Sequence, residues 1–546
     1  MKSARSESEI FADLEKLCSS SGYIHALSYF SWRDNFITYA PEGMTAGDIL
    51  KSYNPSRLLR TEISTLIGLM VKSPIDFGLP DPDAMQTLID GTQTLLEELH
   101  ISLSKPFFES FTRKNTAAGN SPFNQADVLR EPIFYGGESA YSFQYRDFSK
   151  TRYSKDQDWL LANRGFDIEI AHAVVHAIQQ LQDRKMVATT KLMRKSDPAT
   201  WTFLPGLTFS IQEVAAESGL GELQVGDVLR AFTLPVSPTN WAFQSLGDFN
   251  LTNACPLIAR EDGTLISLQL YSLVETLYDS PFYWMQADEN YRSIASANIG
   301  LFAEELVAER IRSVFGESNV FANIDIFSGK DRLGEIDIMV AFADRAIIFQ
   351  CKSKKLNLES RKGNDLLLQA DFKKAVQEAY DQGLKCAKAL ESQDVVFKKN
   401  GGETVEFSKF KEIYICTVVS EHYPALSVQS RQFLNFEVSK IIHPPLVADV
   451  FFIDVVSEML SSPLRFLSYI NQRALYLEKV TSINEITVLG YHLKQNLWLG
   501  DDMDMVMIAD DFGIDVDLAM TVRREGIQGV ATPPGILTRF QNTTIG

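Results

Sequence analysis

Three short runs rich in Ile, Val and Phe, Val320–Phe327, Gly334–Phe342 and Ala346–Lys352, follow one another, separated by the Ser328-Gly329-Lys330-Asp331 and Ala343-Asp344 turns. Links this short join neighbouring strands, and the two-residue Ala343-Asp344 link suits a hairpin. A helix over Leu301–Phe315 precedes the runs, with Leu306, Ile311, Val314 and Phe315 apolar, Glu304, Glu305 and Glu309 charged, and Gly316 as its stop. An amphipathic helix from about Leu366 to Leu390 and a buried-looking strand, Glu412–Ser420, come after them. The predicted order is helix, three strands, helix, strand.

Residues two apart on a strand share a face, so Asp337 lies with Glu335 and Met339, and Gln350 lies with Lys352. A hairpin closed at Ala343 and Asp344 sets Asp337 directly opposite Gln350, with Lys352 one step diagonal. A carboxylate, an amide and an ammonium then meet on strands whose other residues are largely apolar. Burying them together is costly unless they satisfy one another or hold an ion, and a divalent metal with oxygen ligands is the natural occupant.

These residues resemble the PD-(D/E)xK nuclease superfamily, in the Mrr-like and NERD-like branch that uses Gln-x-Lys. The matching pieces are Gly300-x-x-x-Glu304 on the leading helix, Gly334-Glu335-Ile336-Asp337, and Gln350-Cys351-Lys352. The likeness spans about Asn298 to Ser420. It implies a restriction-endonuclease-like α/β core, a mixed sheet flanked by helices, within a mainly α-helical α+β multidomain chain. It further implies Asp337 as the central metal ligand and Glu304 as a ligand, direct or through water. Gln350 becomes a carbonyl ligand in place of the usual acid, and Lys352 orients or activates the attacking water. Mg²⁺ or Mn²⁺ is the implied cofactor. Ala303 departs from the branch, which often has an aromatic residue there, and Gln for Glu lowers the negative charge of the site.

Charge is read locally, because 52 Lys and Arg against 70 Asp and Glu give the chain a net −18 and exclude uniform coating for nucleic-acid binding. From Arg345 to Lys374 there are 8 basic and 3 acidic residues, a local +5. Lys354, Lys355, Arg361, Lys362, Lys373 and Lys374 therefore form the expected phosphate-backbone patch beside the metal. Gln369, Gln377 and Gln382 on the following helix are read as solvent-facing, with a substrate-facing role as the alternative.

The rest of the chain names less chemistry. Its expected regions are a helical 1–111, a helical 123–200 with an aromatic-rich start, 201–295 with a helix-turn-helix-like segment, a β-hairpin and a helix, the nuclease-like 296–425, and a mainly helical 440–546. Residues 112–122 read as a loop. His172 and His176 stand at i, i+4, but Ala173, Val174 and Val175 between them leave no glutamate for a zinc-protease pattern, so both are read as ordinary helix histidines. In Ser210–Phe232 the second helix offers Glu222, Gln224, Asp227 and only Arg230, which favours packing or partner docking over DNA reading. Asp501–Asp517 holds seven aspartates without EF-hand spacing and reads as a solvated acidic face.

Five scattered cysteines with no CxxC pair predict neither a disulfide framework nor a structural zinc, which fits a reducing, cytoplasmic home. Met1–Ser19 lacks the apolar core of a signal peptide, and no run of ~20 apolar residues predicts a membrane span. The expectation is a metal-dependent nuclease acting on nucleic acid, DNA in the first instance, with flanks for sensing, a regulatory protein partner or homo-oligomer assembly. Defence against foreign DNA suits that resemblance. The alternatives are a catalytically weak nucleic-acid-binding or scaffold protein retaining the fold, and an RNA-processing nuclease.

Overall fold

A computed structural model describes residues 5–54, 56–112, 126–136, 140–236, 238–354, 365–392, 394–400, 402–500 and 503–538. The predicted loop over 112–122 lies almost wholly outside them, as do Lys355, Arg361 and Lys362. The chain is α+β and divides into two compact units, residues 1–38, 54–123 and 142–298 in one, and residues 39–53, 124–141 and 299–546 in the other. No helix among the described residues is long and apolar enough to cross a membrane.

The first unit is helical apart from a small antiparallel sheet in the order Thr208–Phe209, Leu265–Ser267, Leu257–Ala259. Its long helix α1 (Ile168–Met193) starts where the Asp167 carboxylate accepts from the Ile170 N–H at 2.9 Å. Ala171, Val174, Val175, Ile178 and Leu181 give it a buried stripe at helical spacing. His172 bonds Asp147 at 3.3 Å and His176 bonds Gln180 at 2.9 Å, as structural histidines do. In the helix-turn-helix-like segment, Gly219 turns the chain at φ 70° between Ile211–Ser218 and Glu222–Phe232. The second helix's basic group, Arg230, is bonded to Asp227 at 2.8 Å.

The second unit is built on a seven-stranded mixed sheet. Helix α2 (Arg292–Phe315), whose residues from Ile299 onward belong to this unit, leads into strands β1 (Val320–Ser328), β2 (Asp331–Phe342) and β3 (Arg345–Lys352). Helix α3 follows, running from Asp365 to Glu391 with a π turn at Lys373–Gln377, and then come β4 (Val396–Lys399), β5 (Thr404–Val405), β6 (Glu412–Val419) and β7 (Leu446–Asp449). The sheet order is β7-β6-β3-β2-β1-β4-β5. Strand β2 is antiparallel to both of its neighbours, β1 and β3, whereas β6, returning after α3, runs parallel to β3, with Phe349 opposite Cys416.

One sheet face buries Met339, Ile348, Ile413 and Ile415 against Tyr380, Cys386 and Ala387 of α3. After β7 the chain is helical, with α4 (Val450–Met459), α5 (Pro463–Leu475), α6 (Glu485–Gln495) and α7 (Ile514–Glu525). In the acidic run Asp504, Asp510 and Asp511 are exposed, as expected of a solvated face, whereas Asp515 and Asp517 in the first turn of α7 are half-buried. Asp517 accepts from the hydroxyls of Tyr53 at 2.5 Å and Tyr141 at 2.6 Å, and Asp515 pairs with Lys494 at 3.0 Å. Tyrosines from two distant segments recruit the carboxylate into the unit, which spacing within the run does not reveal.

Candidate active site

The β2–β3 hairpin pairs Phe342 with Arg345, Ala341 with Ala346 and so on to Ile338 with Phe349, the register predicted from a two-residue turn at Ala343-Asp344. Asp337 and Gln350 stand next in line, at the point where the ladder stops. Strand β2 runs on toward Asp331 against β1 alone, while β3 runs on to Lys352 against β6 alone. The two strands therefore splay, and backbone groups facing the gap need other partners.

Side chains supply them. Asp337 Oδ2 accepts from the Cys351 N–H at 2.8 Å. The Glu335 carbonyl accepts from three donors, Gln350 Nε2 at 2.9 Å, Gln382 Nε2 at 3.2 Å and Cys386 Sγ at 3.3 Å. Burial pushes the Cys386 thiol up to about 12, so it stays a donor. Lys352 Nζ donates to Gln382 Oε1 at 3.3 Å. Gln382 thus departs from a purely solvent-facing reading: it is half-buried and bridges Lys352 to β2. Its spacing on α3 marks a candidate, but only the crossover of α3 over the splay makes it a positioning residue. Gln377 instead bonds Asp381 at 2.8 Å and the Asn435 carbonyl at 2.9 Å, and Gln369 is exposed.

Electrostatics draws these groups together. Asp337 is only 8% exposed, and its pKa is pushed up to about 7, first by burial and then by the nearby Glu304 and Glu335 carboxylates, against the Cys351 N–H and Lys352. Glu304, half-buried on α2, is raised first by burial and then by Glu335, while Lys352 opposes the rise. Desolvated carboxylates with further acids beside them are groups a cation would stabilise.

The residues present bear on a metal in two ways. Gln350 is fully buried, and its Oε1 has no hydrogen-bond partner among the described residues. Its Nε2 is fixed on the Glu335 carbonyl, which defines the amide orientation and leaves Oε1 as the open acceptor. Against this, no group of three His, Cys, Asp or Glu side chains that could hold a metal occurs among the described residues. The donor set that fits is two carboxylates plus one neutral amide oxygen, a weaker set for a hard cation than three carboxylates.

Of the expected backbone-contacting cations, Lys354 is tied to buried Asp371 at 3.2 Å, and Lys373 and Lys374 are exposed on the π turn of α3. Lys355, Arg361 and Lys362 fall outside the described residues.

No protein-family model matches the chain, and no curated protein matches it. A solved structure of protein VC1899 from Vibrio cholerae aligns at a TM-score of 0.18 with 10% identity, over 73% of this chain and 80% of that one. A likeness that slight carries no argument about fold or activity.

Proposed function

We propose that this chain is a metal-dependent nuclease of the PD-(D/E)xK type, hydrolysing phosphodiester bonds in nucleic acid. The observation that carries the reading is the approach of Asp337, Glu304 and Lys352 at the splayed end of one hairpin, with Asp337 desolvated among acids, Lys352 beside them, and the open Oε1 of buried Gln350 on the neighbouring strand. The sheet order, three antiparallel strands with a parallel strand returning after α3, supports a restriction-endonuclease-like core.

Asp337 and Glu304 would hold Mg²⁺ or Mn²⁺, with Gln350 Oε1 as a neutral third donor. When bound, the ion supplies Lewis-acid polarisation of the phosphate and a lowered pKa for water. Lys352 sets a positive charge where negative charge develops on the phosphate, and its bond to Gln382 fixes its direction in advance. Lys373 and Lys374 offer contacts to the backbone without reading sequence.

The test is cleavage of supercoiled plasmid, linear duplex, single-stranded DNA and RNA with Mg²⁺ or Mn²⁺ by wild type, Asp337→Ala and Lys352→Ala. Metal-dependent cutting by wild type, reduced at least 10²-fold in both variants, is the expected result. A second reading, nucleic-acid binding without turnover, is favoured by Gln350 standing where a third carboxylate would complete the metal set. Binding that survives EDTA, with no cleavage of any polymer by folded wild type, would select it.

A further inference from the structure

A cavity of about 440 Å³ opens beside the site, and two residues belong to both: Glu335, which raises Asp337, and Gln382, which holds Lys352. It is a groove open to solvent, with Glu378, Asp381 and Lys385 exposed along its rim. One wall is β2 at its bulge, where Ile326 faces Gly334, Phe327 faces Arg332, and Leu333 is the extra residue, 50% exposed. The other wall is a stripe of α3, with Glu378, Asp381, Gln382 and Lys385 at i, i+3, i+4 and i+7.

The charge of the lining selects its occupant. Three carboxylates (Glu335, Glu378, Asp381) face two cations, and one of these, Arg332, is already shared between Asp325 at 2.6 Å and Glu335 at 2.5 Å. A phosphate is repelled there, whereas a neutral group presenting N–H donors is welcomed. Glu378 and Lys385 make no ion pair or side-chain hydrogen bond with any described residue, and Asp381 has one oxygen engaged by Gln377. Along the helix the available groups run acceptor, acceptor, donor. The Watson–Crick edge of guanine runs donor, donor, acceptor (N2 amino, N1 imino, O6). Adenine, cytosine and thymine or uracil each present a different order. That edge is free only in an unpaired base, which exposed Leu333 would cover on one face.

We propose that this cavity is a subsite for one unpaired guanine next to the scissile phosphate, read by Glu378, Asp381 and Lys385. The proposal deepens the nuclease reading and rests on it for the placement of the phosphate.

The experiment uses the full chain as Asp337→Asn in EDTA, so that nothing is cut. Fluorescence anisotropy follows short oligothymidylates carrying one central guanine, inosine, adenine or cytosine, or thymidine alone. Guanine binds about tenfold tighter than the others, inosine loses part of that gain with its missing amino group, and Glu378→Gln or Lys385→Met added to the same chain brings the guanine probe down to that variant's own all-thymidine affinity. Equal affinities for all five probes overturn the subsite, as does a preference that survives both substitutions. Parallel cleavage assays on wild type separate the two readings. Cutting with no bias toward guanine overturns the subsite and leaves the nuclease standing. A guanine preference in binding, with no polymer cut in any metal, upholds the subsite and overturns the nuclease.

Discussion

A carboxyl group 8% exposed, with one oxygen taken by the Cys351 amide and two acids nearby, keeps its proton to a higher pH than a surface aspartate does. The pKa of Asp337 in the folded chain, about 7, lies above the ordinary 3.8, so between those values the folded state holds a proton that the unfolded chain has lost. The stabilising effect of that proton is complete below the unfolded value and is lost as pH rises through the folded one, by at most ~4 kcal/mol at about 1.4 kcal/mol per unit. Asp337→Asn should therefore melt above wild type at pH 8 in EDTA and close to it at pH 4. Calorimetry at the two pH values checks this, and a difference in melting temperature that does not change with pH would mean the carboxylate is not desolvated as described. Mg²⁺ should narrow the gap at pH 8 by binding wild type alone.

At the scale of elements, the site depends on how closely α3 lies on β3 and β6. A Cβ added at Gly383 would fall 2.8 Å from Ile415 Cγ2 and 3.4 Å from Gln350 Cγ, so any larger residue lifts the helix from the sheet. Gly383→Ala should lower stability by about 1–3 kcal/mol in denaturant titration and reduce activity further than that loss explains, because Gln382 and Gln350 move with it. The hairpin turn offers the opposite change. Ala343 sits at φ 52°, in the left-handed region, and Ala343→Gly should gain up to about 1 kcal/mol in the same titration without shifting the register.

At the scale of the whole molecule, the segment after the sheet is part of the same compact unit as the strands. Asp454 on α4, fully buried, accepts from Arg310 of α2 at 2.6 Å and from Arg524 of α7 at 2.9 Å. Asp454→Ala would remove the carboxylate that Arg310 and Arg524 share; each keeps a second acid, Glu309 and Glu458 respectively, so the loss should be about 1–3 kcal/mol, read as a lowered melting temperature. Since α2 also carries Glu304, a weakened or lost response to Mg²⁺ should accompany it. The overall charge of −18 adds a further condition. On the proposed nuclease reading, nucleic acid would be held by local cations such as Lys373 and Lys374, so affinity should fall steeply with salt.

Side-chain alternation and the two-residue turn at Ala343 and Asp344 are local rules in the sequence that leave little choice, and they set the strands and their hairpin register as far as Ile338 and Phe349; the expected pairing of Asp337 with Gln350 lies one step beyond, where the ladder stops. Lys352 follows by the same alternation, two residues beyond Gln350, whereas Glu304 on α2 rests on the family resemblance alone. Local rules do not say where a ladder ends or what fills the gap. The splay beyond Ile338 and Phe349, the three donors on the Glu335 carbonyl, and Gln382 as the group that aims Lys352 all follow from α3 crossing the sheet at Gly383. The recruitment of Asp517 by Tyr53 and Tyr141 is of the same kind, since its partners lie more than 370 residues away along the chain. Such contacts form only when burial brings distant segments together, and the desolvation that makes Asp337 an unusual acid arises in that same step.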